Sequence, residues 1–78
     1  RWDDARAAYR AAIAASPESA FLYRDLARVE LRAGQDDAAL EQARQALALD
    51  DDDARAHLVV GEVLDRRDDV AGALAAYE

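Results

Sequence analysis

Apolar residues recur along this chain at helical spacing, and turn-forming residues interrupt the pattern at regular intervals. Ala5, Ala8, Tyr9, Ala12 and Ile13 share one face and predict a helix over 2–15. The segment Ser16-Pro17-Glu18-Ser19 ends it, because Pro17 lacks an N–H and disfavours helical backbone at Ser16. A second helix is predicted over 20–33 from the stripe Leu22, Leu26, Val29 and Ala33, with Gly34 as its C-terminal stop. Asp36 is expected to cap a third helix over 37–49, whose buried face is Ala39, Leu40, Ala43, Ala46 and Leu47. Asp50 to Asp53 form the next turn and bring negative charge to the N-terminus of a helix over 54–66, where the macrodipole favours it. Arg66-Arg67-Asp68-Asp69 reads as an exposed corner before a fifth helix over 70–78.

The elements repeat with a period of about 34 residues. At that offset Ala5, Ala39 and Ala73 align, Ala12 meets Ala46, and Ile13 meets Leu47. Leu26 likewise meets Val60, Ala27 meets Gly61, Val29 meets Val63, and Leu40 meets Leu74. With Tyr23, Leu26, Ala27, Gly34, Ala39 and Ala46 in one unit, and His57, Val60, Gly61, Leu64, Ala73 and Tyr77 in the next, the pattern resembles the tetratricopeptide repeat family. Trp2, Ala5, Tyr9, Ala12 and Pro17 supply only a second half-repeat. The chain is therefore expected to divide into a second helix (1–19), a full repeat (20–53) and a truncated repeat (54–78), and its start at Arg1 rather than Met leads us to expect a window cut from a longer array. The departures from the family pattern are Glu30 and Ala43 at aromatic places, Asp51 at the proline and Asp68 at the inter-helix glycine.

The resemblance implies an all-α fold, a right-handed solenoid of antiparallel helix-turn-helix repeats. It also implies a protein-protein interaction scaffold whose first helices line a concave groove for a partner peptide or helix. On the matching positions that groove is Phe21, Arg24, Asp25, Arg28, Leu31 and Arg32, then Arg55, Leu58, Val59 and Glu62, with Asp65 and Arg66 beyond them. Some family members clamp a C-terminal carboxylate with Lys and Asn. Here Arg24 and Arg28 hold those places and Val59 the next Asn place, so that clamp is not expected. Small residues such as Ala27, Gly61, Ala39, Ala12 and Ala46 stand where helices approach closely, and Gly61→Leu is expected to overpack its contact.

Composition sharpens the picture. Alanine accounts for 21 of the 78 residues, and helix formers dominate over the six β-branched ones. Without cysteine there is no disulfide framework or thiolate zinc site, and the redox compartment stays open. No apolar run approaches the roughly 18 residues of a membrane span. The net charge of −7 opposes nucleic acid and anionic membranes as partners and favours basic ones. Against that background Arg24, Arg28 and Arg32 follow at i, i+4 and i+8, so three guanidiniums share a helix face. An acidic peptide would relieve their repulsion by bidentate pairing, and the plain alternative is local pairing with Asp25, Asp36 or acids of the fourth helix.

Catalytic chemistry is poorly supplied, and no enzyme is expected. His57, the lone imidazole, falls at an aromatic place and is expected to be a packed or half-exposed core histidine. Ser16 and Ser19 flank Pro17 in turn and cap positions. Asp50 to Asp53 offer carboxylates that suit calcium but lack the alternate spacing, bend glycine and bidentate Glu of a calcium loop, so a solvated turn is expected and no cofactor or metal is implied. A second reading is structural: a module that self-associates through exposed repeat ends within a larger protein.

Overall fold

The computed structural model describes residues 2–76, with side-chain surroundings for residues 2–68. Four helices follow one another: α1 (Trp2–Ala15), α2 (Ala20–Arg32), α3 (Asp36–Leu49) and α4 (Ala54–Ala76). Turns of three or four residues join them, so each helix reverses against the one before. α1 packs on α2, α2 on α3, and α3 with α2 on α4. The molecule measures 50 × 29 × 13 Å. α2, α3 and α4 touch one another pairwise, so they pack as a triangle, and α1 extends it on the α2 side.

Four short helices have no deep interior, and burial comes from the faces they turn to one another. Ala27, Ala39, Ala43, Ala46 and Ala56 are completely shielded, because a methyl group is what fits where two helix backbones come close. Leu31, Leu40, Val59 and Val63 interdigitate around them, and Val60 packs against the same cluster. Leu26 and Val63 are the largest side chains to be fully buried.

The turns are built by identifiable hydrogen bonds. At the end of α1 the Ser16 N–H still reaches the Ala12 carbonyl (2.9 Å), and the Tyr23 hydroxyl then donates to the Pro17 carbonyl (3.1 Å), tying the first turn to α2. Ser19 stands at the N-cap of α2 without a side-chain capping bond. At the other end Gly34 takes φ +79°, with the Gln35 N–H on the Glu30 carbonyl (2.9 Å) and the Gly34 N–H on Leu31 (3.1 Å). These two bonds satisfy orphan carbonyls of the last turn in the Schellman arrangement. Asp36 is the first residue of α3 rather than its cap, a place held by Gln35. The acidic turn behaves as predicted: Asp50 Oδ1 accepts from the Asp52 N–H (3.1 Å), while Asp53 Oδ1 accepts from the N–H groups of Arg55 (3.0 Å) and Ala56 (3.2 Å). Asp53 is thus the side-chain cap of α4.

The last element departs from expectation. No turn forms at 67–69, and α4 runs unbroken from Ala54 through Ala76 in place of helices over 54–66 and 70–78. At the equivalent point of the middle repeat Gly34 supplies a left-handed residue, whereas among the described residues no non-glycine adopts positive φ. Asp68 therefore keeps helical backbone and the helix propagates. Gly61 is affected in turn: a Cβ placed there would meet nothing within 4 Å, so the expected overpacking contact is not present. The position of Ala73 and Tyr77 in that contact lies outside the residues whose side chains are described.

The two glycines therefore respond oppositely to alanine. Gly34→Ala forces an L side chain into left-handed backbone and costs about 1–2 kcal/mol, whereas Gly61→Ala, mid-helix and unobstructed, gains about 0.5–1 kcal/mol. Chemical denaturation followed by circular dichroism measures both signs. In the same assay Asp53→Ala, which removes the α4 cap, costs about 1 kcal/mol, and Asp51→Ala, exposed and uninvolved in capping, leaves stability unchanged.

Candidate interaction cleft

The exposed face between α2 and α4 forms a cleft of about 310 Å³. Arg28, Leu31 and Arg32 line it from α2 at spacings of three and four residues, which puts them on one helix face. α4 contributes Arg55, Leu58, Val59, Glu62 and Arg66, again at helical spacing. Val59 and Leu31 are buried and form the floor, while Leu58 is 60% exposed and offers an apolar side chain to solvent. Four guanidiniums and one carboxylate thus surround an apolar strip in a chain whose net charge is −7.

Local pairing removes some of these cations and leaves others. Arg24 is occupied, with Nε 3.2 Å from Asp25 Oδ1 and Nη1 3.6 Å from Asp53 Oδ2, and it does not line the cleft. Arg28 makes only a long contact to Asp25, at 4.0 Å. Arg66 Nη1 lies 2.6 Å from Asp36 Oδ1. Among the described residues, no carboxylate comes within 4.0 Å of the guanidinium of Arg32 or Arg55. Of the groove residues predicted from sequence, Phe21 is exposed away from the cleft, and Asp25 lines a neighbouring depression of about 200 Å³ with Trp2, Tyr9 and Val29. Asp65 is exposed and does not line the cleft either.

Sequence reasoning missed four ion pairs. Glu30, at an aromatic place of the repeat pattern, is buried at 3% exposure and accepts a hydrogen bond on Oε1 from Arg6 Nε, with Arg10 Nη2 3.9 Å from Oε2. Arg66 and Arg67 are not a free corner: they hold Asp36 and Asp37 and so fasten the start of α3 to α4. The signal available for these was a constant separation, 30 residues in both α3–α4 pairs. Exposed pairs of this kind contribute little individually.

The remaining candidates lie at the acidic turn. His57 is exposed rather than packed, with Nε2 2.8 Å from the Asp51 carbonyl across the acidic turn. The carboxylates of Asp50, Asp51 and Asp52 lie within 4.8 Å of one another, all exposed, and Asp50 is engaged in holding the turn. Among the described residues no helix is long and apolar enough to cross a membrane.

Comparison with known proteins agrees with this architecture. A family model described as tetratricopeptide repeat matches residues 1–63. No curated protein matches the chain. Tetratricopeptide repeats are non-catalytic and generally mediate protein-protein interaction. With four consecutive helices, glycine-ended α2, alanine-packed seams and a family match over most of its length, the chain belongs to the tetratricopeptide repeat family.

Proposed function

We propose that this protein is an interaction scaffold that binds an acidic segment of a protein partner in the cleft between α2 and α4. The observation that carries this reading is that Arg32 and Arg55, which have no carboxylate within 4.0 Å among the described residues, stand with the loosely paired Arg28 around Leu31, Leu58 and Val59, while Arg66 is held by Asp36. Like charges so close repel one another, and an acidic protein gains nothing in stability from gathering them. A partner carboxylate would relieve the repulsion and pair with the guanidinium fork, while an apolar partner side chain would cover Leu58. The role of Arg24 in this reading is indirect: paired with Asp25 and Asp53, it orders the acids beside the cleft.

A second reading, a structural or self-association module, draws support from Leu64, which is 43% exposed on α4 beside the open space at Gly61. The two readings part in their response to salt. Groove binding of an acidic peptide weakens steeply as ionic strength rises, whereas apolar self-association does not.

Fluorescence anisotropy with a labelled peptide of alternating acidic and leucine residues tests the first reading. Arg28→Glu and Arg55→Glu should each weaken binding by about tenfold, and Arg44→Glu, outside the cleft, should leave it unchanged. Equal affinity for the native chain and both cleft variants would refute it.

A further inference from the structure

The buried carboxylate of Glu30 sits between α1 and α2, where Arg6 and Arg10 approach it from α1. Moving by one repeat of 34 residues carries Arg6 onto Leu40, Arg10 onto Arg44 and Glu30 onto Leu64. The two equivalent seams are thus built from different chemistry. In the first, a guanidinium meets a buried acid. In the second, α3 brings Leu40 into the apolar cluster with Val59 and Val63, while Leu64 of α4 lies outside that cluster, 43% exposed.

We propose that Glu30 is a partner-selecting residue: the α1 side of α2 accepts only a helix that presents a guanidinium at the Arg6 place. An apolar helix of the α3 type, with Leu at that place, would seal a carboxylate away from water without its donor. No buried side-chain polar atom among the described residues is without a partner, so the native stacking alone satisfies the acid. A helix carrying the Arg6-type guanidinium would gain no acid from Leu64 on α4. The α1–α2 seam therefore discriminates against a helix of the α3 type. This selection is independent of the cleft, whose residues it does not involve.

The full 78-residue chain allows a direct test. Its one tryptophan, Trp2, lies on α1, is 47% exposed, and borders surface depressions with Ala33 and Val29, so a rise in its quenching by acrylamide reports undocking of α1. Far-UV circular dichroism reports separately whether the helices persist. Arg6→Leu gives α1 the pattern that α3 carries, leucine followed four residues later by arginine, and should lose Trp2 protection. Arg6→Leu/Glu30→Leu converts the seam to the second type and should regain it, as should the charge-reversed pair Arg6→Glu/Glu30→Arg. Native-like protection in Arg6→Leu would overturn the proposal, as would failure of the double variants to restore what the single loses, including any loss of helicity.

Discussion

The close approach of helix backbones at alanine is the constraint on which the rest of this structure depends. Burial is concentrated on the faces that α2, α3 and α4 turn to one another in a single shared cluster, and small residues there let the helix backbones come close. Ala27, Ala39, Ala43, Ala46 and Ala56 supply that closeness, and the few larger residues lock around them. Such a core is shallow. Truncating a side chain there removes a large share of what holds two helices together, and the termini and turns carry a correspondingly greater part of the stability.

Charge is distributed by the same geometry. Acids gather in the turns and first turns, where Asp53 caps α4 and where Asp36 and Asp37 meet both the α3 macrodipole and Arg66 and Arg67. Asp25, Glu41, Glu62 and Asp65 lie along the helices instead, and Glu30 is drawn inward to Arg6. With the acids so employed, the cleft face of α2 and α4 keeps its arginines, and a strongly acidic chain presents a basic cleft with an apolar floor.

Much of this was legible in the residues. Period and apolar spacing located α1, α2 and α3 to within a residue or so, and Arg28, Leu31, Arg32, Arg55, Leu58, Val59 and Glu62 line one cleft, whereas Phe21, Arg24 and Asp25 do not. What could not be read were effects decided by tertiary partners. Glu30 looks like a defect in the pattern until Arg6, 24 residues earlier, is placed opposite it. Asp68 was expected to turn the chain as Gly34 does, but it has no comparable freedom at positive φ and the helix continues. Gly61 and His57 then follow: without a helix folded back over α4, the first faces open space and the second lies exposed against the turn.

The central claim is that the α2–α4 cleft is the surface that meets a partner, and amide chemical-shift mapping of the isotope-labelled chain with an acidic, leucine-containing peptide tests it most directly. The account predicts perturbations concentrated at Arg28, Leu31, Arg32, Arg55, Leu58 and Glu62, saturating with peptide and fading with added salt. Perturbations centred instead on the outer face of α3, around Glu41 and Arg44, would contradict it.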